Sequence, residues 1–115
     1  MPIQTLFERN SLVTKYIADA THGALQSTVA AATAGTELTG GAPAYARKPL
    51  AWAAAAASAS TATQVVFDVA TGLTVASVAL FNALTVGTFI DAVNVTSQTF
   101  SSQGTYAVTP TITIT

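Results

Sequence analysis

From Thr21 onward the chain is dominated by threonine, valine and alanine, and turn-forming residues interrupt it at short intervals. This pattern limits the fold more than any other feature, because β-branched residues favour pleated strands and the recurring turns reverse the chain. It predicts strands over residues 22–28, 46–53, 64–69, 74–81, 88–95 and 106–113. The predicted fold is therefore mainly β, an antiparallel β-sandwich of about six to seven strands with a short N-terminal helix.

The final predicted strand has the clearest period-two pattern. Thr109, Thr111 and Thr113 alternate with Pro110, Ile112 and Ile114, so one face of the strand is apolar. Proline has no backbone N–H to donate to a neighbouring strand. The strand is therefore expected either at the edge of a sheet or starting after Pro110.

Two segments lack a strand pattern. Residues 30–44 hold three glycines and Pro43 with little periodicity, which predicts a long surface loop. Residues 53–63 form a run of alanine, serine and threonine. Alanine favours a helix in isolation, whereas the flanking strands favour an extended or looped segment, and the sequence leaves both open.

Helical spacing occurs only near the start of the chain. Five apolar residues fall on one broad stripe and predict a helix over residues 5–16, namely Ile3, Leu6, Phe7, Val13 and Ile17. This stripe needs a surface to pack on, either the sheet of the same chain or a neighbouring subunit. The length of 115 residues predicts a single domain over 1–115, with a helical arm at 1–19 and the β-sandwich at 20–115.

Charged side chains are unusually scarce. The 115 residues include four Lys or Arg and five Asp or Glu, and half of the residues are hydrophobic. Ordinary soluble domains are about a quarter charged. The outer surface must therefore consist mostly of small polar and apolar side chains, which suits contact with other proteins. We expect a component of a protein assembly that forms homo-oligomers, with a trimer as one arrangement.

The same composition argues against several classes of function. A net charge of −1 gives no electrostatic footprint for nucleic acid, and the absence of cysteine excludes disulfides and Cys-ligated zinc. No apolar stretch reaches the roughly 18 residues of a membrane span, and no export signal is visible in the sequence. Neither a nucleic-acid partner nor a membrane is therefore expected.

Catalytic residue types are also scarce. His22 is the only histidine, with Asp19 as the only acid close to it in sequence. The five acids lie far apart and lack the spacing of a metal-binding loop: Glu8, Asp19, Glu37, Asp68 and Asp91. The sequence predicts a protein that is not an enzyme, with no catalytic residue, metal ligand or cofactor.

Two segments are candidates for contact with a partner. The first is the N-terminal stripe of Ile3, Leu6 and Phe7. The second spans Tyr45, Arg47, Lys48 and Trp52, because arginine and large aromatic residues concentrate binding energy at interfaces. The basic pair in the second segment has an alternative role, since cationic side chains on an edge strand prevent mispairing of a sheet.

Several stretches of the sequence carry a family resemblance. They read ATHGALQ at 20–26, ELTGGAPAYARKPLAW at 37–52, FDVATGLTVASVALFNA at 67–83, GTFI at 87–90 and QTFSSQGTYAV at 98–108. In this order they resemble small β-rich virion proteins of tailed bacteriophages, of the head-decoration, minor tail or fibre type. The resemblance covers roughly residues 20–108.

This resemblance implies a structural role in a virion and implies no catalytic residue. A short chain without fibrous repeats or coiled-coil heptads fits a capsid decoration, or cement, protein that binds the major capsid protein on the head surface. Such a chain would be made in the host cytoplasm. The alternative within the family is a minor tail or fibre-associated protein that binds other tail proteins. From a different class, a carbohydrate-binding β-sandwich would need aromatic platforms and carboxylates on one face.

Overall fold

A computed structural model describes residues 3–114 and contains one helix and eight strands within that range. The elements are α1 (Leu6–Asp19), β1 (His22–Gln26), β2 (Lys48–Pro49), β3 (Ala59–Thr61), β4 (Val65–Val69), β5 (Thr74–Phe81), β6 (Phe89–Thr99), β7 (Gly104–Val108) and β8 (Thr111–Thr113). The prediction of a mainly β fold with a short N-terminal helix is confirmed.

Helix α1 begins directly after its N-cap residue, Thr5. The Oγ1 atom of Thr5 accepts a hydrogen bond from the backbone N–H of Glu8 (3.3 Å), which satisfies one of the free donors in the first turn. The helix ends at Asp19, three residues beyond the predicted end, and the N–H of Ala20 closes the last turn on the carbonyl of Tyr16. Only Val13 is fully buried along the helix.

The largest sheet has four antiparallel strands in the order β2-β1-β5-β6. In the register of its central strands, Leu25 lies opposite Val78 and Ala24 lies opposite Ala79. Directly paired residues share a face of a sheet, so these two pairs point to opposite faces. Strand β5 is buried on both faces along most of its length, which explains its nearly continuous apolar sequence.

The main core lies between this sheet and a two-stranded ribbon of β4 and β7. Phe67 and Val69 on β4 pack with Leu25, Val75 and Val78 of the sheet. A second ribbon pairs β3 with β8. The arrangement of antiparallel layers around one apolar interior is sandwich-like, as predicted. The opposite face of the large sheet carries a smaller cluster of Ala24, Ala79 and Phe81, against which Phe89 packs.

Two predicted strands differ from the observed ones because of proline. The strand predicted over 46–53 shortens to Lys48–Pro49, since Pro49 cannot donate to a ladder. The strand predicted over 106–113 divides into β7 and β8, with Pro110 between them. The second expectation for that proline, a strand that starts after it, matches β8.

The segments without a clear pattern also have defined paths. Residues 53–63 contain no helix, and β3 at Ala59–Thr61 is extended after a tight reversal in which Ala57 and Ser58 have positive φ. Residues 30–44 contain no strand, as predicted, apart from isolated bridges. The strand predicted over 88–95 continues as β6 to Thr99.

The described body is elongated, with principal extents of 47 × 24 × 23 Å. Its radius of gyration of 14.8 Å exceeds the value of about 13 Å expected for a compact domain of this length. An elongated shape exposes more surface per residue than a sphere. An elongated body therefore needs more polar side chains on its surface, whereas this chain has few charged residues.

The central role of Phe67 can be tested by truncation. Phe67 is fully buried, so Phe67→Ala should lower the free energy of unfolding by about 3–5 kcal/mol in urea titrations. Val66, next to it on β4, is 47% exposed, and Val66→Ala should cost about 1 kcal/mol or less. Equal losses for the two variants would contradict this description of the core.

Candidate functional site

The side chain of Arg47 is the most highly connected charged group among the described residues. Its Nη2 lies 3.0 Å from Oε1 of Glu37 and its Nε donates to Oε2 of Glu37 at 3.0 Å, so the two groups meet side by side. Its Nη1 donates to the carbonyl oxygens of Ala83 (3.0 Å) and Val86 (2.8 Å). Each of the three guanidinium nitrogens therefore donates at least one hydrogen bond. Only 9% of the Arg47 side chain is exposed.

Aromatic rings complete this cluster. The guanidinium carbon of Arg47 lies 3.7 Å from the ring centroid of Phe81, a close cation–π contact. The hydroxyl of Tyr45 donates to Oε2 of Glu37 (2.7 Å) and accepts from the backbone N–H of Leu25 (3.0 Å). The ring of Tyr45 stacks on Phe67 with centroids 6.2 Å apart, which joins the cluster to the main core. We call Glu37, Tyr45, Arg47 and Phe81 the arginine cluster.

Burial and hydrogen bonding raise the pKa of Tyr45 far above its ordinary value. Burial is the larger cause, and the hydrogen bond to the carboxylate of Glu37 adds to it, because both disfavour the tyrosinate form. The pKa of Tyr16 is also raised, first by burial and then by its hydrogen bond to Asp91. Both hydroxyls therefore act as hydrogen-bond donors that hold acidic side chains in place.

The arginine cluster fixes a loop that exposes apolar side chains. In the loop at residues 82–88, Oδ1 of Asn82 accepts from the N–H of Thr88 (2.7 Å), and Val86 and Gly87 have φ of 57° and 69°. A positive φ is rare for a β-branched residue and persists only where surrounding contacts enforce it. Leu84 and Val86 are 54% and 84% exposed, and we call them the loop patch. A recess of about 370 Å³ lies between this loop and the arginine cluster.

The N-terminal candidates lie at the start of α1. Phe7 is 80% exposed and Leu6 is 50% exposed, whereas Ile3 is half-buried. The helix is held elsewhere: Oδ1 of Asn10 accepts from the N–H of Ser58 (2.9 Å), and the hydroxyl of Tyr16 donates to Asp91 (2.9 Å). Leu6 and Phe7, which we call the helix patch, are therefore free for contact with another molecule.

The second set of predicted partner residues has mixed positions. The side chains of Tyr45 and Arg47 are hydrogen-bonded within the chain as members of the arginine cluster. Trp52 is half-buried, and its Nε1 donates to the carbonyl of Ala20 (2.8 Å). Lys48 lies on the edge strand β2 beside Pro49, which fits the alternative role of a cationic residue that protects a sheet edge. All four side chains are therefore at least partly buried, and neither Tyr45 nor Trp52 is among the exposed large apolar residues.

Several other charged groups are also bonded within the chain. Lys15 and Asp19 form an ion pair along the helix, and Nη1 of Arg9 donates to the carbonyl of Ile3 (3.0 Å). His22 contacts the hydroxyl of Thr21 through Nδ1 (2.9 Å). In residues 3–114, no three His, Asp or Glu side chains come together in a way that could hold a metal ion. Within the same residues, the 14-residue helix α1 falls short of the length that a membrane-spanning helix needs.

No pattern in the sequence indicates the loop patch or the role of Glu37. The Val86-Gly87 dipeptide indicates a turn. The exposure of the Val86 side chain, however, depends on a contact with Arg47, which is far away in the sequence. Glu37 and Arg47 are ten residues apart across a loop without periodicity, so no local pattern marks them as partners. The scarcity of charge is the one available signal, because it leaves few possible partners for a buried arginine.

Comparisons with known proteins do not assign the chain to a family. No protein-family model matches it, and no curated protein or solved structure is significantly similar to it.

The arginine cluster can be tested by removing its cation. Arg47→Met keeps much of the apolar stem but removes the donors to Oε1 of Glu37 and to the carbonyl groups of Ala83 and Val86, while Oε2 of Glu37 keeps the hydrogen bond from Tyr45. We expect a loss of about 2–4 kcal/mol in the free energy of unfolding. In a double-mutant cycle with Glu37→Gln, the double variant should lose less than the sum of the single losses. Strictly additive losses would contradict a direct interaction.

The raised tyrosine pKa values predict a loss of stability at alkaline pH. Tyrosines in the unfolded chain lose their protons above about pH 10, while Tyr16 and Tyr45 in the folded chain keep theirs. The unfolded state then binds fewer protons, so the stabilisation is complete below about pH 10 and decreases as the pH rises further. Urea titrations from about pH 8 to about pH 11 should show this decrease, and a Tyr16→Phe/Tyr45→Phe variant should show a smaller one. An equal decrease in both proteins would contradict the assignment.

Proposed function

We propose that this chain is a structural virion protein of a tailed bacteriophage, a decoration protein that binds the assembled head. The observation that carries the proposal is the distribution of its side chains: Arg47, Glu37 and Asp91 are bonded within the chain, while apolar groups at the helix and loop patches face outward. A surface of this kind is stabilised when another protein covers it. The sequence resemblance supplies the virion context.

The proposed mechanism is stabilisation through binding. The helix patch and the loop patch would bury apolar surface against the major capsid protein, each fully buried side chain contributing about 1.5–3 kcal/mol. The fixed backbone of the loop lowers the entropic cost of that contact. A protein that binds only the assembled shell shifts the equilibrium away from disassembly by mass action.

The tail-protein alternative has less support. A receptor-facing tail module would present aromatic side chains on its loops, whereas Phe81 and Phe100 are buried and Phe89 packs on the cluster at Phe81. The side-chain distribution still allows a tail protein that binds other tail proteins through the helix patch and the loop patch.

One observation favours the carbohydrate-binding alternative. Tyr16, Trp52 and Asp91 line a groove of about 560 Å³ together with three threonines at 109, 111 and 113. The polar groups of Tyr16 and Trp52 already donate within the chain, so they are not available to sugar hydroxyls without rearrangement. Retention on insoluble polysaccharides that Trp52→Ala abolishes would support this function, and no retention would remove it.

The proposed location can be tested by copy number. Quantitative mass spectrometry of gradient-purified virions should find this chain in a simple ratio to the major capsid protein. A tail component would instead be present in far fewer copies than the shell subunits. Absence of the chain from virions would overturn both versions of the proposal.

The two patches give a prediction for binding. Leu84→Ser/Val86→Ser and Leu6→Ser/Phe7→Ser variants should each occupy purified, undecorated heads at least about tenfold less well, because each removes apolar area from the contact. Val66→Ser is the matched control, since Val66 is an exposed valine outside both patches. Undiminished occupancy by both double variants would contradict the assignment of the contact surface.

A further inference from the structure

The two edges of the four-stranded sheet differ sharply. The edge strand β2 has two residues, Lys48 and Pro49, and both residue types discourage pairing with another chain. The opposite edge strand, β6, has 11 residues and contains neither lysine nor proline. At about 3.3 Å per residue, β6 extends over roughly 36 Å. The β2 edge is therefore short and protected by lysine and proline, whereas the β6 edge is long and has neither.

The outer side of β6 is open within residues 3–114. Its only strand partner there is β5, and most of its residues are exposed. Val93 is 62% exposed although it sits at the centre of the strand. Long exposed edges of this kind present unpaired backbone groups to other chains. The regular part of the ladder with β5 runs from Asp91 to Asn94, between one irregularity in β6 between Phe89 and Asp91 and another between Asn94 and Gln98.

We propose that β6 pairs with β6 of a second copy of this chain, antiparallel and across a twofold axis, to form a dimer with a continuous eight-stranded sheet. An axis at Val93 places the two Val93 side chains opposite each other, where each covers the other. It also places Asn94 opposite Ala92 of the second copy. Antiparallel pairing about a twofold axis makes the same strand its own complement.

The charge on β6 fits a second copy. Asp91 is the only charged residue on the strand, and its Oδ2 accepts from the hydroxyl of Tyr16. With the axis at Val93, Asp91 lies opposite Val95 of the second copy, so the two carboxylates do not face each other. Pairing of β6 with itself in this register therefore brings no like charges directly opposite each other, so the strand is electrostatically compatible with its own copy.

The dimer can be tested by sedimentation velocity over a concentration series. We expect a monomer–dimer equilibrium that Val93→Asp weakens by about tenfold or more, because it places two carboxylates opposite each other at the axis. Val66→Asp is the control, since Val66 is also an exposed valine on a strand, and it should leave the equilibrium unchanged. Far-ultraviolet circular dichroism and melting temperatures establish that both variants fold.

A second test does not require the interface to be broken. The chain contains no cysteine, so V93C introduces a single thiol. Cα atoms of directly paired residues lie about 4.5–5.5 Å apart, within the range of disulfides. Mild oxidation should therefore give a disulfide-linked dimer for V93C and far less for V66C. A monomer at all concentrations, a trimer, or equal cross-linking of the two variants would overturn the proposal.

The dimer does not rest on the proposed function. A chain that dimerises through β6 but is absent from virions would support the dimer and overturn the decoration role. If the chain is present in virions and Val93→Asp leaves its oligomeric state unchanged, the decoration role would be supported and the dimer overturned.

Discussion

The contact of the Arg47 guanidinium with Glu37 and the ring of Phe81 ties together parts of the chain that no ladder joins. It connects the loop before β2, the end of β5 and the turn that leads into β6. Through the hydroxyl of Tyr45 the same cluster reaches the backbone of β1 and the main core. In a chain with so few charges, one partly buried ion pair therefore holds a long loop and an exposed turn in place.

Because several charged side chains are bonded within the molecule, its outer surface carries little charge. The charged side chains of Glu37, Arg47 and Asp91 are bonded within the body, while Phe7 and Val86 are at least 80% exposed. The elongated body and the open edge at β6 add further surface of low charge. Apolar patches and an exposed sheet edge are stabilised when they are covered, which links the side-chain distribution to assembly.

The sequence predicted the parts of the fold that depend on local pattern. Strand β5 was located to the residue because its apolar run is bounded by turns on both sides, and α1 was found from its stripe and extends further only at its end. The short β2 and the break at Pro110 depend on which backbone donors the neighbouring strands need, and composition does not specify this. The pairing of Glu37 with Arg47 and the exposure of Val86 arise from tertiary contacts, so Tyr45 and Arg47 were predicted at a partner surface but are bonded inside the chain.

The central claim is that other protein subunits cover the exposed apolar side chains. Covalent footprinting, with side-chain labelling of the free chain compared with the chain bound to purified heads, measures that coverage directly. The account predicts strong protection at Phe7, Leu84 and Val86 on the particle and unchanged labelling at Val66. Labelling of Phe7, Leu84 and Val86 that is the same in both states would contradict it.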